Sequence, residues 1–286
     1  MNKVLNVLDI FSGIGGFSLG LEKAGMQTVA FCEINPFCQQ ILKKHWESIP
    51  VFPDVTKLTK EDFAGLSQID VIAGGFPCQD ISCAGKQKGI GADRSGLWKE
   101  FKRLINELKP KYAIIENVAN LRGNGLITVL QDLWEIGYNA EWHCIPASAF
   151  GAPHRRDRIW IVAYPSSASA IRLPVREEER LPVFRDDCKN ASDTDYRKID
   201  TICKQEKISS HYRTRGIEKW GVEPESIPRL TEERLNPDWV EWLMGFPKGW
   251  TEGGSRKKRL MSLGNAVVPM IPEFLGNCVI KRISKF

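Results

Sequence analysis

The alternation of short apolar segments with amphipathic ones over the first 165 residues constrains this chain most. Helices are predicted at 17–24, 36–46, 96–108 and 126–134. Strands are predicted at 4–11, 28–34, 69–73, 112–116 and 158–164, with a third strand ending just before Asp54. Apolar strands that alternate with helices predict an α/β fold, with a parallel sheet covered by helices on both faces. Ligands of such sheets bind at the carboxyl ends of the strands.

Length and composition restrict the class of protein. The 286 residues are enough for one large domain, or for one core domain and a small second domain. The net charge of +5 permits a polyanionic partner without demanding one. The 8 cysteines form no CxxC pair, so we expect no zinc site. We see no export signal and no membrane span, and we expect a cytoplasmic protein without disulfides and without a membrane partner.

The composition changes after residue 165. Residues 166–235 are rich in charge, with acidic and basic residues in balance, which indicates a small domain, an insertion or a partly ordered stretch. A helix is predicted from Asn236, the cap, with Pro237 in its first turn. A last helix is predicted at 271–283. We therefore divide the chain into a catalytic domain (1–165), a short recognition region (166–235) and a C-terminal segment that packs back on the first domain (236–286).

Three groups at the ends of the first three strands predict a ligand pocket. The glycine-rich stretch 11–17 follows the first strand and opens a helix, although its spacing is not that of dinucleotide-binding proteins. Glu33 ends the second strand, where a carboxylate can accept both hydroxyls of a ribose. Asp54 follows the third, near the place of an adenine amino group. Alternatively, the two acids only cap the helices that follow.

Cys78 follows the fourth strand, after a Gly-Gly turn and a proline. A thiolate there is displayed as a nucleophile, although a packed core thiol is the alternative. The next residues, 82–95, are rich in glycine and carry Lys86, Lys88 and Arg94. This composition suits a mobile loop that closes over a phosphate backbone, or else a solvated surface loop.

Charged groups mark two later strands. Glu116 ends the fifth strand, where a buried carboxyl with a raised pKa can donate a proton. Arg155, Arg156 and Arg158 lead into the last strand, and arginine offers a planar fork to a carbonyl or a phosphate. For each of them a structural ion pair is the alternative.

Taken in order, the blocks FSGIGGF, GGFPCQ, ENV, APHRRDRIWIV and GNAVVP resemble those of the cytosine-C5 DNA methyltransferase family, bacterial or phage type. The resemblance implies a Rossmann-like sheet that binds S-adenosyl-L-methionine, with a small target-recognition region. It implies double-stranded DNA as the substrate, with the target cytosine flipped out of the duplex. Cys78 would attack C6, Glu116 would hold N3 and the exocyclic amine, Arg158 would contact the base carbonyl and Arg156 would support the site. No metal is needed.

The resemblance also assigns the cofactor and DNA contacts. Phe11 would stack on the adenine, the loop Gly13 to Gly16 would hold the methionine end, Glu33 the ribose and Asp54 the adenine amine. The remaining cofactor residues are Ser12, Ile14, Gly15, Ile34, Val55, Pro77, Leu97 and Asn265, and the DNA-binding residues are Gln79, Ser82, Lys86, Lys88 and Arg94. Two positions depart from the family: Ile34 replaces a usual tryptophan and His154 a common glutamine.

The recognition region is the larger departure, because it is short and poor in apolar strands. Bases would be read in the major groove by Arg213, Arg215 or Lys219, beside Trp220, and specificity could be relaxed. The basic run 256–259 would touch phosphates or form a solvated turn.

Three functions stay open on the sequence. The first is a DNA methyltransferase, either paired with a cognate restriction endonuclease or solitary. The second is a tRNA cytosine-C5 methyltransferase. The third is an inactive DNA-binding homologue. We expect a monomer.

Overall fold

The computed structural model describes residues 4–77, 96–166 and 226–284, and residues 214–215, 218–220 and 224 between them. Within these ranges the strands are β1 (Asn6–Ile10), β2 (Gln27–Cys32), β3 (Val51–Phe52), β4 (Val71–Gly75), β5 (Tyr112–Val118), β6 (Tyr138–Ile145), β7 (Arg158–Pro165), β8 (Leu230–Thr231) and β9 (Arg234–Leu235). The helices are α1 (Gly16–Lys23), α2 (Pro36–His45), α3 (Gly96–Leu108), α4 (Leu121–Asn124), α5 (Leu126–Glu135), α6 (Pro237–Leu243), α7 (Arg256–Asn265) and α8 (Met270–Ile283).

Among the described residues, β1 to β7 form one seven-stranded sheet in the order β3-β2-β1-β4-β5-β7-β6. The first five strands are parallel, as predicted. The prediction of a parallel sheet is wrong at the other edge, where β7 runs antiparallel to both β5 and β6. The reason lies in the connection between β6 and β7, which contains a 3-10 turn and no crossover helix of the kind that usually joins parallel neighbours.

Helices cover both faces of the sheet, as predicted. The side chains of β1 alternate, so that Val7 belongs to one apolar core and Leu8 to the other. The first core includes Phe17 of α1 and much of α8, and the second includes Trp98 and Phe101 of α3. Both faces of the central strands are therefore buried, which explains their nearly continuous apolar sequences.

The C-terminal segment packs against α1. At Gly20 of α1 a Cβ atom would lie 2.2 Å from the carbonyl oxygen of Pro269, so only glycine allows this close approach. By length and composition, the segment Arg256–Ile283 could span a membrane, since its most apolar window has a mean hydropathy of 1.3. The expectation that no stretch of the chain approaches a membrane span is corrected in this respect. Because 72% of that window is buried inside the protein, the segment is typical of a core.

Candidate active site

The register of the sheet brings the ends of four strands to one edge. Ile10 of β1 pairs with Cys32 of β2 and Gly74 of β4, and Gly75 of β4 pairs with Glu116 of β5. The reversed direction of β7 places its first residue, Arg158, at the same edge. The antiparallel strand that the sequence analysis missed is thus the reason why an arginine from its start meets a carboxylate from the end of β5.

The glycine-rich stretch forms a tight loop tied to Glu33. The carboxylate of Glu33 accepts hydrogen bonds from the backbone N–H of Gly13 at 2.7 Å and of Asn35 at 2.8 Å. Phe11 and Gly13 both have φ near 53°, and Gly15 has φ 82°, so the turn is left-handed at three positions. Glu33 therefore joins the loop to the start of α2, where Asn35 is the cap. In the described residues this carboxylate therefore has a structural role.

The loop is also supported from behind. The indole N–H of Trp250 donates a hydrogen bond to the carbonyl of Ile14 at 2.9 Å, and a Cβ atom on Gly15 would lie 2.5 Å from the Trp46 ring. Trp250 is buried and stacks on His45, with ring centroids 3.6 Å apart. Neither tryptophan was singled out in the sequence analysis, because a lone aromatic residue remote in sequence gives no signal for a contact with this loop.

The other predicted cofactor residues differ in environment. Ser12 donates from its hydroxyl to the carbonyl of Asp9, and the carbonyl of Val55 accepts from Arg103. Asp54 is held by the N–H and hydroxyl of Thr56, which together with Lys57 lower its pKa. Ile34 is 75% exposed directly after Glu33. Pro77 and Asn265 are exposed, and Phe11 and Leu97 are half-buried.

The segment that leads to Cys78 is fixed at its base. The side-chain amide of Asn117 donates a hydrogen bond from Nδ2 to the backbone carbonyl of Phe76 at 2.9 Å, and both residues are buried. Pro77, the last described residue before Cys78, is exposed. Cys78, Gln79, Ser82, Lys86, Lys88 and Arg94 lie outside the described residues. Asn117 belongs to the ENV block, of which only the carboxylate was predicted to have a role.

Glu116 and Arg158 form an ion pair at this edge of the sheet, where β5 and β7 meet. The Nε atom of Arg158 lies 3.0 Å from a carboxylate oxygen of Glu116, whose side chain is only 13% exposed. Burial raises the pKa of Glu116 to about 7, although Arg158 and then Arg156 favour the charged form. A carboxyl with a pKa near neutrality can exchange a proton at the pH at which an enzyme works.

Arg156 joins the arginine block to the last sequence block. Its guanidinium donates to the carbonyl oxygens of Gly264 at 2.7 Å and Ala266 at 2.6 Å, the two residues on either side of Asn265. Burial, together with the charge of Arg158, lowers the pKa of Arg156 to about 10. The backbone at Arg156 has φ 42°, a left-handed conformation that is uncommon for a residue with a side chain. The contact holds the backbone on either side of the exposed Asn265 against Arg156, whose charge acts on Glu116.

The residues predicted to read bases have partners inside the protein. Arg215 forms a two-point ion pair with Glu273 of α8, and Lys219 donates to the carbonyl of Gly245 at 2.6 Å. Trp220 is buried, and its indole N–H donates a hydrogen bond to the backbone carbonyl of Trp242. These contacts join the segment to the C-terminal helices around a cavity of about 320 Å³, so a structural role replaces base reading as the interpretation of Arg215 and Lys219. Arg213 lies outside the described residues.

Comparison with known proteins identifies the family. A family model described as "C-5 cytosine-specific DNA methylase" matches residues 5–220. This chain belongs to that family. Membership of this family makes the chain a methyltransferase.

Curated relatives are Type II methyltransferases. M2.BsuMI of Bacillus subtilis is 29% identical over 95% of this chain and 74% of that protein, and M.HhaI of Haemophilus parahaemolyticus is 25% identical over 95% and 93%. M.CviJI of Paramecium bursaria Chlorella virus IL3A is 42% identical, but the match spans only 54% of this chain and 42% of that relative.

Solved structures share the fold. A prophage-encoded protein of E. coli, proposed to be a DNA modification methyltransferase, has a TM-score of 0.67 and 20% identity over 98% of this chain and 99% of that chain. The Dnmt2 methyltransferase of S. pombe has a TM-score of 0.64 and 20% identity over 99% of this chain and 100% of that chain. At these identities the likeness shows the Rossmann-like fold alone.

Proposed function

We propose that this protein is a DNA (cytosine-5-)-methyltransferase that modifies cytosine in double-stranded DNA. The observation that supports it most is the pair of Glu116 and Arg158, with the carboxyl buried and its pKa raised to about 7. This pair can hold a flat base that has a ring nitrogen next to a carbonyl, because Glu116 can donate to the nitrogen and Arg158 to the oxygen. Cytosine N3 and O2 have this arrangement.

The residues at the ends of β1 to β3 fit S-adenosyl-L-methionine. The buried Glu33 carboxylate beside the glycine loop suits ribose hydroxyls, and the exposed Ile34 and half-buried Phe11 offer apolar faces to a flat ring. Asp54 lies where a carboxylate can accept from an adenine amine, and Asn265 would close the pocket from α7. When bound, the cofactor supplies a methyl group on a positively charged sulfur, which is an electrophile that needs no metal.

Side chains of the protein make C5 of the cytosine nucleophilic. The thiolate of Cys78 adds to C6 of the flipped cytosine, and the electron pair of the C5–C6 double bond moves toward N3. Glu116 donates to N3 and Arg158 to the carbonyl, which leaves an enamine that is nucleophilic at C5. After C5 is methylated its proton passes to water, the electron pair left behind re-forms the C5–C6 double bond and expels Cys78 as a thiolate, and the proton on N3 returns to Glu116. Arg156 positions Asn265 through the carbonyls of Gly264 and Ala266.

The test is methyl transfer from S-adenosyl-L-methionine to duplex DNA of mixed sequence and, separately, to tRNA. Nucleosides from each digest are assayed for 5-methylcytosine by mass spectrometry. The proposal predicts product from duplex DNA with the wild type and with Cys278→Ala, a cysteine of α8, and none with Cys78→Ala. Product from tRNA alone would replace the proposal with the RNA enzyme. DNA binding without product from the wild type would indicate an inactive homologue.

A restriction–modification role is the proposed context, supported by the names of the Type II relatives. Sequencing of the methylated DNA then gives the recognition site. A cognate restriction endonuclease must cut at that site only when it is unmethylated, which can be tested with extracts of the source cells. Gel filtration with light scattering tests the expected monomer.

A further inference from the structure

The basic run 256–259 separates into two kinds of residue. Arg256, Lys257 and Lys258 are exposed on the first turn of α7, whereas Arg259 points into the protein. The guanidinium of Arg259 pairs with Asp238 and with the fully buried Glu241. The run is therefore a fixed helical turn with one buried anchor and three outward cations.

The anchor is part of a hydrogen-bonded network. Glu241 also accepts from the backbone N–H groups of Gly249 and Thr251, and Arg259 donates to the hydroxyl of Thr251. Arg256 donates to the carbonyl of Leu235, which joins the turn to the hairpin of β8 and β9. Because the acids of α6 pair with Arg259, they do not neutralise the outward cations. Within the part of the chain that the structure describes, none of the three forms an ion pair.

The turn stands at a fixed distance from the proposed base pocket. It begins α7, and Asn265 ends the same helix. Ten residues of α-helix rise about 15 Å, which corresponds to roughly four base pairs at about 3.4 Å each. The first turn of α7 therefore lies about 15 Å along the helix from the end that Arg156 holds, a distance that a bound duplex of ordinary length spans. The turn carries the charge that a phosphate backbone requires.

We propose that Arg256, Lys257 and Lys258 form a docking surface for the phosphates of the duplex on one side of the target base. This proposal rests on the proposed function and goes beyond it by naming a DNA-contacting surface outside the nucleophile loop. The contact is to phosphate and carries no sequence information, so it sets affinity and orientation for every DNA sequence equally.

The test compares two variants that lose the same charge. Lys257→Gln/Lys258→Gln removes two cations of the surface, and Lys60→Gln/Lys281→Gln removes two exposed cations elsewhere. The dissociation constant of a 24-base-pair duplex is measured by fluorescence anisotropy at several salt concentrations, with two unrelated sequences. The logarithm of the association constant falls linearly with the logarithm of the salt concentration, and losing two phosphate contacts makes this slope less steep by about 1.8. If the variant and the wild type bind equally well at about 1 M salt, the variant binds up to about 60-fold more weakly than the wild type at about 0.1 M.

The proposal predicts these changes for the first variant, equally with both sequences, and an unchanged slope for the control. Equal slopes for the wild type and the first variant would overturn the docking surface and leave the methyltransferase proposal intact. A loss with only one sequence would mean base reading, which also overturns it. If the wild type bound no duplex at any salt concentration, both proposals would be wrong.

Discussion

The raised pKa of Glu116 makes the stability of the protein depend on pH in a way that one substitution isolates. Below pH 4.5 the carboxyl is protonated in the folded and unfolded chain alike. As the pH rises from 4.5 to about 7, the unfolded chain loses this proton while the folded one keeps it, so the free energy of unfolding falls. Above a pH of about 7 both forms are ionised and the loss is complete.

The size of this loss follows from the shift. A rise from 4.5 to about 7 is worth roughly 3 kcal/mol at about 1.4 kcal/mol per unit of pKa, and most of it is lost between pH 5 and pH 8.5. Glu116→Gln keeps the shape of the side chain and removes the titration. We therefore expect the difference in unfolding free energy, variant minus wild type, to rise by roughly 2–3 kcal/mol from pH 5 to pH 8.5.

Urea unfolding at the two pH values measures this difference, and the titrations common to both proteins cancel. If unfolding is irreversible, the corresponding change in the difference between the Tm values is roughly 5 °C. Ile127→Ala, an exposed and uncharged position on α5, is the control and should show the same pH dependence as the wild type. Equal pH dependence of Glu116→Gln and wild type would refute the reasoning, because it would mean that the pairing with Arg158 cancels the cost of burial.

Two further predictions concern the support of the cofactor loop and of α1. Trp250→Phe removes the hydrogen bond to Ile14 and keeps the ring stack on His45. Because such a bond is worth about 0.5–1.5 kcal/mol, KM for S-adenosyl-L-methionine should rise roughly 2- to 10-fold with kcat little changed. A fall in kcat of the same size would contradict a role in positioning the loop alone. Gly20→Ala forces a methyl group against the Pro269 carbonyl and should destabilise the protein by about 1–3 kcal/mol in urea unfolding. Gly123→Ala, where nothing lies within 4 Å, should not destabilise it.

Most of the α/β core could be predicted, because its elements carry local signals. α3 begins and ends where predicted, and α6 has the predicted cap at Asn236 with Pro237 in its first turn. Several elements were missed, and β6 and α7 were missed for physical reasons. β6 has mixed polar and apolar residues because it is a half-buried edge strand, and α7 begins with a charged turn that has no apolar periodicity.

The candidate site likewise contains residues that the sequence predicted and contacts that it did not. Glu33, Glu116 and Arg158 were found because each stands next to an apolar strand, and the sheet aligns their ends. The contacts of Trp250 with Ile14, and of Arg156 with the carbonyls beside Asn265, join residues more than 100 positions apart. Such contacts follow from tertiary packing alone. Arg215 and Arg259 looked like free cations in the sequence because their carboxylate partners lie on other helices.

The most direct test of the central claim is a covalent trap. A duplex in which 5-fluorocytosine replaces cytosine is incubated with the protein and S-adenosyl-L-methionine. After Cys78 adds to C6 and C5 is methylated, C5 carries fluorine in place of the proton that must leave, so Cys78 cannot be expelled. The account predicts a protein–DNA complex that survives denaturing electrophoresis, with a peptide mass that places the DNA on Cys78 and no complex from Cys78→Ala. A wild type that forms 5-methylcytosine in ordinary DNA and no such complex, or a complex at another residue, would contradict it.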